Sequence, residues 1–370
     1  MNIQLVDLKK QYLTIKSEID DAIQNVINET AFIKGKYVKT FENDYAKAIG
    51  VKHCISVANG TDAIYIALKA LGIGHGDEVI TVANSWISTS ETITQAGATA
   101  VFVDIDPDTY TIDPAKIEEK ITNRTKAIIP VHLFGHPCDM DKIVTIAKKH
   151  DLQIIEDCAQ SHFAEYKKQQ VSTFGIAGTF SFFPGKNLGA FGDAGAIVSN
   201  DDNFSEKARM IANHGALVKH QHKIEGVNSR LDGLQAAILS VKLTHLNDWT
   251  TARNQHASLY NTLFHQANLA EVIPPTINRD CYHAFHLYVI RVKQRGELMT
   301  FLKNKGINVA IHYPTPLPFL EAYQYLGHSE HDFPISAQYQ HEILSLPMYP
   351  ELTTDEIEYI VDQIRLFYSN

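Results

Sequence analysis

Short runs of β-branched and other apolar residues alternate with amphipathic segments through the first two thirds of the chain. Seven such runs predict strands, which begin at His53, Asp77, Thr99, Lys126, Gln153, Ala177 and Gly195. Between most of them, apolar residues recur three and four positions apart, as in TDAIYIALKAL and DMDKIVTIAKKH, and predict helices. This alternation is typical of a mostly parallel sheet with helices on both faces. Only a loop separates the last two strands, which allows one of them to run antiparallel.

The pattern changes in the last third of the chain. One long helical pattern extends from Ser229 to Gln266 and ends at the turn-rich VIPPTINRD. Beyond it lie the strand-like segments HAFHLYVIRV and INVAIHY, a helix between them, and two or three further helices. We therefore expect an α/β protein with a large domain over residues 1–245. A smaller C-terminal α+β domain over residues 246–370 is carried on the long helix.

Composition narrows the class of protein. The chain of 370 residues has 33 basic and 42 acidic side chains, a formal net charge of -9, and no basic run that would mark a nucleic-acid surface. Its four cysteines are scattered without a CxxC pair, which argues against a structural zinc site or a disulfide scaffold. The N-terminus does not resemble a signal peptide, and no run reaches the roughly 18 apolar residues of a membrane span. We expect a soluble cytoplasmic protein without nucleic-acid or membrane partners.

Polar residues follow several of the predicted strands, at the edge where open α/β sheets bind ligands. Asn59, Gly60 and Thr61 lead from a strand into a helix, so they form either an ordinary turn or a seat for a phosphate at the helix N-terminus. Trp86 follows the next strand, either as a core aromatic or as a flat surface on which a ring stacks. Lys34, in ETAFIKGKYV, lies either in a turn between helices or in a loop that contacts a diphosphate.

A pair of carboxylates and a lysine complete the set. Glu156 and Asp157 end an apolar strand, where two buried carboxylates are costly unless one has a cationic partner. Asp157 is thus either a helix N-cap or the partner of a protonated heterocyclic nitrogen. Lys186 follows Ser181 in the glycine-rich FSFFPGKNLGAFGDAGAI, where burial would lower the pKa of its amine. A nucleophilic lysine, an aspartate, a stacking aromatic and a phosphate seat together indicate pyridoxal phosphate.

These motifs resemble those of the fold-type-I pyridoxal-phosphate enzymes, and among them the nucleotide-sugar aminotransferases of the DegT/DnrJ/EryC1/StrS family. The resemblance covers nearly the whole chain, from LVDLKKQY through NGTDAIYIALKALGIGHGDEVI, PVHLFGHPCDMD, IIEDCAQSH and SFFPGKNLGAFGDAGAI to GVNSRLDGLQAAIL and IHYPTPLP. It implies the fold-type-I aminotransferase fold, with a seven-stranded sheet in the large domain. It also implies a homodimer whose active sites are shared at the interface.

The resemblance also assigns residues to roles. The family's cofactor-binding positions are matched by Gly60, Thr61, Trp86, Asp157, Gln160, Ser181, Lys186 and Asn228. Lys186 corresponds to the lysine that forms a Schiff base with the cofactor, and Asp157 to the partner of the pyridine nitrogen. Trp86 corresponds to the aromatic that stacks on the ring, and Gln160 lies near the ring hydroxyl. The phosphate is held by Gly60, Thr61 and Ser181.

Four residues match positions near the substrate or the interface. Asn228 and Arg230, in GVNSRLD, match residues that reach across the dimer toward the cofactor phosphate and the sugar nucleotide. His312 and Tyr313, in IHYPTPLP, match a loop that approaches the substrate. No metal is expected, because the glycine and proline of HLFGHP exclude a regular helix that could pair His132 with His136 as ligands.

The resemblance implies an amino transfer from L-glutamate, which leaves as 2-oxoglutarate, to a nucleotide-linked keto-deoxysugar by ping-pong kinetics through pyridoxamine phosphate. The segments KNLGAFGDAG and GVNSRLDGLQAAIL resemble the branch that aminates C3, and the product would enter a surface glycan such as O-antigen or lipopolysaccharide, or a glycosylated metabolite. The alternatives are a C4 aminotransferase and a regulatory protein that holds the cofactor without turnover.

The sequence does not identify the nucleotide, which is dTDP, UDP or GDP. Lys186 itself argues against the family's dehydratases, which replace it by histidine.

Overall fold

The computed structural model describes residues 1–369, and in it the seven predicted strands form one sheet. These strands are β1 His53–Val57, β2 Glu78–Val82, β3 Thr99–Val103, β4 Thr125–Ile129, β5 Gln153–Asp157, β8 Ala177–Ser181 and β9 Gly195–Ser199. Their order across the sheet is β1-β9-β8-β5-β4-β2-β3. The predicted sheet of seven mostly parallel strands is confirmed.

The direction of β9 depends on the connection that precedes it. β9 runs antiparallel to both of its neighbours, β1 and β8, whereas the other pairs in the sheet are parallel. A parallel return would need a crossover of a dozen or more residues, usually through a helix. Residues 182–194 form no helix, so the chain turns back on itself. These residues, which we call the lysine loop, contain Lys186.

Helices cover both faces of the sheet. In the described part of the chain they are α1 Leu8–Thr14, α2 Lys16–Asn28, α3 Lys36–Ile49, α4 Gly60–Ala70, α5 Ser88–Gln95, α6 Met140–Lys149, α7 Asp202–Ile211, α8 Gly233–Ala267, α9 Arg295–Asn304, α10 Pro334–Tyr339 and α11 Thr354–Ser369. Short 3₁₀ turns occupy Pro114–Lys116, Glu118–Lys120, Leu133–Gly135, Leu317–Phe319, Glu321–Leu326 and Glu330–Asp332. None of the helices among residues 1–369 is both long and apolar enough to span a membrane.

Alternate residues of each strand enter different hydrophobic clusters, as the period of a strand requires. In β9, Ile197 packs in the cluster that contains α4, α5 and α7, whereas Ala196 and Val198 pack in the cluster that contains α2, α3 and the first half of α8. Burial of both faces explains why the strands read as nearly continuous apolar runs. Because β2, β4, β5 and β8 run parallel, their carboxyl ends lie at the same edge of the sheet.

The last third of the chain has a core of its own. β10 Val272–Ile273, β12 Tyr288–Val292 and β13 Ile343–Leu346 form a three-stranded sheet, and β11 Cys281–Tyr282 pairs with β6 Glu165–Tyr166, next to β7 Gln169–Gln170. The second half of α8, with α9 and α11, packs on the first of these sheets. α8 thus contributes residues to both cores.

Two boundaries differ from the sequence prediction. α8 begins at Gly233 rather than Ser229, because Asp232 forms a backbone bridge with Ile33 and Gly233 donates its N–H to Phe32. The segment INVAIHY forms no regular strand and makes only single bridges, Ile307 with Ile3 and Ala310 with Ser345. Its bridge partners are an N-terminal residue and a residue of β13, and neither bridge is continued into a ladder.

Candidate active site

Lys186 lies in the lysine loop, just beyond the carboxyl end of β8. The loop is tightly folded: a Cβ atom on Gly189 would lie 2.2 Å from the carbonyl oxygen of Pro184, so only glycine fits there. Lys186 is half-buried, and its backbone N–H donates to Phe183 at 2.8 Å. Burial lowers the pKa of its amine to about 8, and the charge of Asp157 opposes that change. The amine is therefore more easily deprotonated than that of an ordinary lysine.

Asp157 ends β5 with its carboxylate buried. One oxygen accepts the hydroxyl of Thr89 at 2.8 Å, and the other accepts the N–H of Ala159 at 3.1 Å. Burial raises the pKa of Asp157, while these hydrogen bonds and the charge of Lys186 lower it. No helix begins at Asp157, so the N-cap interpretation is wrong. A buried carboxylate facing this edge of the sheet favours a cationic ligand.

Glu156, the adjacent carboxylate, serves the fold instead. Its two oxygens accept the backbone N–H groups of Ser172, Phe174 and Gly175 at 2.7–2.9 Å. His132 donates the fourth hydrogen bond at 3.1 Å, since its Nδ1 already accepts the N–H of Cys138. With so many donors the charge of Glu156 is satisfied within the protein.

The only candidate metal cluster among residues 1–369 belongs to this same network. His132, Glu156 and Cys158 have potential ligand atoms within 4.8 Å of one another. The hydrogen bonds just described occupy the ring nitrogens of His132 and the oxygens of Glu156. Burial raises the pKa of the Cys158 thiol, which disfavours the thiolate that metal binding requires. The cluster is explained by hydrogen bonding alone.

The N-terminus of α4 meets the end of β8 very closely. Asn59 caps α4 by accepting the N–H of Asp62, and the N–H groups of Gly60 and Thr61 find no acceptor among the described residues. A Cβ atom on Gly60 would lie 2.7 Å from the Cβ of Ser181. The Thr61 hydroxyl lies 2.7 Å from that of Ser88, at the start of α5. Free N–H groups and hydroxyls at a helix N-terminus form an anion site.

Trp86 and Tyr313 form an aromatic wall beside these groups. Trp86 is 59% exposed, so the core-aromatic interpretation is wrong, and its ring centroid lies 5.7 Å from that of Tyr313. Gln160 accepts the N–H of Phe134 at 2.6 Å and donates its amide to the Tyr313 hydroxyl at 3.0 Å. The orientation of the Gln160 amide is therefore set by the fold.

His312 precedes Tyr313 through a cis peptide bond. Its Nδ1 lies 2.8 Å from the hydroxyl of Ser345. Burial, and secondarily the charge of Lys186, lower the pKa of His312 to about 4. The ring is thus neutral at physiological pH.

Together, these contacts bring nine predicted site residues to one edge of the sheet: Gly60, Thr61, Trp86, Asp157, Gln160, Ser181, Lys186, His312 and Tyr313.

The remaining three predicted residues lie elsewhere in the chain. Lys34 and Arg230 line a separate cavity of about 170 Å³, and Asn228 is exposed beside it. Lys34 donates to the side chain of Asn213 at 2.7 Å, and its pKa is lowered by burial and then by the charge of Arg230. Within residues 1–369, none of the three hydrogen-bonds with the group around Lys186. Lys34 does lie in the turn between α2 and α3.

Several residues of the site were not predicted. Thr89 contacts Asp157, and its position in the first turn of α5, three residues after Trp86, could have indicated it. His162 accepts the Tyr45 hydroxyl at 3.0 Å and donates to the carbonyl oxygen of Ser181 at 3.0 Å, so it supports the end of β8. Asn187 adjoins Lys186 in the lysine loop and is buried. No local pattern distinguishes the latter two residues from ordinary core polar groups.

The residues at this edge fit a planar heterocycle that carries a phosphate. Two unpaired backbone N–H groups and nearby hydroxyls suit the phosphate, the buried Asp157 suits a protonated ring nitrogen, and exposed Trp86 offers a face to the ring. Lys186 supplies an amine with a lowered pKa next to them. This donor set is the one that pyridoxal phosphate needs.

Comparison with known proteins agrees with this fit. The sequence profile of the DegT/DnrJ/EryC1/StrS aminotransferase family matches residues 13–365. A "pleiotropic regulatory protein" of Geobacillus stearothermophilus is 48% identical over 100% of this chain and 99% of its own. The dTDP-3-amino-3,6-dideoxy-alpha-D-galactopyranose transaminase of Aneurinibacillus thermoaerophilus is 44% identical over 99% of both chains.

A solved structure shows the same architecture. The crystal structure of S. venezuelae DesV, in complex with a ketimine intermediate, is 37% identical to this chain and superposes with a TM-score of 0.96. The match covers 100% of this chain and 99% of the other. The fold around the site is therefore that of an aminotransferase.

Proposed function

The chain belongs to the DegT/DnrJ/EryC1/StrS aminotransferase family, and on that premise we propose that it transfers an amino group from L-glutamate to C3 of a nucleotide-linked keto-deoxysugar. It is a pyridoxal-phosphate-dependent aminotransferase. The observation that carries the proposal is Lys186, whose pKa is lowered to about 8, beside the buried carboxylate of Asp157 and the unpaired N–H groups of α4.

Bound pyridoxal phosphate supplies an electron sink for the carbon that carries the transferred amine. We assign covalent attachment of the cofactor to Lys186. The free amine of Lys186 would move the proton at the α-carbon of the amino donor, a role that a pKa near the working pH favours. Asp157 would hold the proton on the ring nitrogen of the bound cofactor, because its carboxylate is buried and already oriented by Thr89. Donor and acceptor use the site in turn, so ping-pong kinetics are expected.

The other residues at the sheet edge bind and orient. We assign the phosphate to Gly60, Thr61 and Ser181, since the close contact of α4 with β8 places a hydroxyl beside free N–H groups. Trp86 would stack on the ring. One amide N–H of Gln160 donates to the Tyr313 hydroxyl, and its second N–H would serve the ring hydroxyl of the cofactor, because the amide oxygen already accepts the N–H of Phe134.

His312 and Tyr313 border the space in front of Lys186, and we assign both to the keto-sugar. The supporting observations are the ring contact of Tyr313 with Trp86 and the electrostatic interaction of His312 with Lys186. A neutral imidazole and a phenol offer hydrogen bonds to sugar hydroxyls without adding charge to the site.

A second copy of the chain would complete the site. Lys34, Asn228 and Arg230 lie apart from Lys186 within one chain, and apolar side chains such as Ile33 and Phe183 are more than half exposed. We propose a homodimer in which these apolar residues are covered and the three polar residues approach the partner's cofactor phosphate and sugar nucleotide. Exposed apolar groups beside a site are typical of such an interface.

The site of amination and the nucleotide are also proposals. C3 amination and a dTDP substrate are supported by the name of the 44% identical relative. A 4-keto sugar remains the alternative substrate, and UDP or GDP the alternative nucleotides.

We further propose that the chain divides into domains 1–245 and 246–370, which the separate core of the last third supports. We also propose a cytoplasmic location, which the four free cysteines support.

The visible absorption spectrum of the purified protein tests the proposal. Incubation with pyridoxal phosphate should produce a yellow band, addition of L-glutamate should bleach it, and a dTDP-linked 3-keto sugar should restore it. Lys186→Ala serves as the control that lacks the attaching amine. Restoration only by a 4-keto sugar would favour the C4 alternative. A yellow protein that glutamate does not bleach would favour the regulatory role named for the 48% identical relative.

A further inference from the structure

Asn187, the residue after Lys186, is anchored by the last third of the chain. It is 3% exposed, and its amide nitrogen donates to the carbonyl oxygen of Ala284 at 2.8 Å. A carbonyl can only accept, so this bond fixes which way the amide points. The amide oxygen then faces Nδ1 of His286 at 3.2 Å. Since an amide oxygen cannot donate, Nδ1 of His286 must carry the proton.

His286 is suited to act as a fixed donor. Burial lowers its pKa well below the ordinary value, and the nearby charges of Lys186 and Arg253 lower it further. The ring is therefore neutral at physiological pH, with its single proton on Nδ1. Its Nε2 makes no hydrogen bond with any described residue, so within residues 1–369 the imidazole ring hydrogen-bonds only to Asn187.

The segment that carries His286 is held from two directions. Arg253 of α8 donates to the carbonyl oxygen of Phe285 at 3.0 Å. The carbonyl oxygen of Gly135, at the turn after β4, accepts the N–H of Ala284 at 2.9 Å. A Cβ on Gly135 would lie 2.9 Å from the backbone nitrogen of Phe285, so the two backbones pack closely there. The segment is thus anchored both to α8 and to the turn after β4.

We propose that Asn187 and His286 are positioning residues that hold the lysine loop so that the amine of Lys186 meets the cofactor aldehyde. The proposal rests on the proposed function. In the attachment step, the lone pair of the neutral Lys186 amine forms the new bond to the aldehyde carbon. The aldehyde oxygen leaves as water with both amine protons, so no electrons are gained or lost overall. Positioning matters because the reacting atoms must approach along a narrow path.

The rate of this attachment tests the proposal without turnover. We would mix cofactor-free protein with saturating pyridoxal phosphate and follow the first-order growth of the visible band by stopped-flow absorbance. Asn187→Ala should slow this step about tenfold or more. Asn254→Ala is the matched control, because Asn254 donates to the neighbouring carbonyl of His283 at 2.9 Å but does not adjoin the lysine. The control should leave the rate within about twofold of wild type.

Substitutions of His286 separate positioning from packing. In His286→Asn an amide N–H lies close to the position of Nδ1, whereas in His286→Gln it lies closer to Nε2. We expect His286→Asn to retain most of the rate, and His286→Gln to slow it about as much as Asn187→Ala. Equal rates for these two His286 variants, or an unchanged rate in Asn187→Ala, would overturn the proposal.

The outcomes also distinguish this proposal from the proposed function. If the wild-type protein forms no visible band, the assignment of Lys186 itself fails. If the wild type forms the band and every variant matches it in rate, only the positioning role fails. Should Asn187→Ala not fold, the two His286 variants still decide the question.

Discussion

Replacement of Lys186 by methionine should stabilise the cofactor-free protein even though it abolishes catalysis. A buried ammonium without a close partner costs free energy, and methionine has a similar length without the charge. Among residues 1–369, no hydrogen bond or salt bridge engages the Lys186 amine. The perturbation therefore removes a cost of folding and breaks no side-chain hydrogen bond, although it also removes the attraction between Lys186 and Asp157.

The magnitude follows from the pKa. Burial lowers the pKa of Lys186 from 10.5 to about 8. That difference corresponds to about 3 kcal/mol of unfavourable free energy when the amine is charged in both the folded and the unfolded states. Lys186 is half-buried rather than fully enclosed, so solvent screening reduces the expected gain to about 2 kcal/mol. The attraction of Asp157 is already contained in the lowered value.

The pH dependence gives the sharper test. Because the folded pKa lies below the unfolded one, the cost is complete below about pH 8 and disappears as the pH rises to 10.5. Urea unfolding of cofactor-free Lys186→Met and wild type should therefore differ by about 2 kcal/mol at pH 7 and converge near pH 10.5. Lys47→Met, at an exposed position, is the control and should differ little from wild type at either pH. A gain that is absent at pH 7, or equal at both values, would refute the reasoning.

Other predictions address the cofactor and the substrate. Asp157→Asn should slow the glutamate half-reaction about hundredfold or more, measured by the bleaching of the visible band, since a neutral amide holds the ring proton poorly; unchanged kinetics would count against its role. Gly60→Ala should weaken cofactor binding in equilibrium dialysis, because the new methyl meets the end of β8 at 2.7 Å, whereas Gly296→Ala has no neighbour within 4 Å and should not. The attachment rate of Lys186 should rise about tenfold per pH unit up to about pH 8 and then level off, and a rise that continues to pH 10 would contradict the lowered pKa. Arg230→Ala should raise the KM for the sugar nucleotide and leave the glutamate half-reaction intact; the reverse result would remove its assignment.

Much of the site was predictable because it lies where strands end. Periodicity alone located the strands that end before Trp86, at Asp157 and at Ser181, and the topology of an open sheet brings such ends together. Periodicity did not decide between the two interpretations of Trp86 or between those of Asp157. Exposure of the indole and the absence of a helix after β5 resolved them. Glu156 and Asp157 are adjacent in the chain, and only their different hydrogen-bond partners in the structure distinguish their roles.

The amino-acid sequence by itself determined the succession of strands and helices along the chain and the position of Lys186 in a loop after a strand, because these depend on local apolar patterns and on residues adjacent in the chain. Only the tertiary structure decided which groups from distant parts of the chain contact the lysine loop. Asn187 and His286 are 99 residues apart, and their hydrogen bond depends on how the lysine loop packs against the last third of the chain. No period in either segment encodes that packing. INVAIHY has the apolar pattern of a strand, but whether it joins a ladder depends on its tertiary neighbours, with which it makes only single bridges.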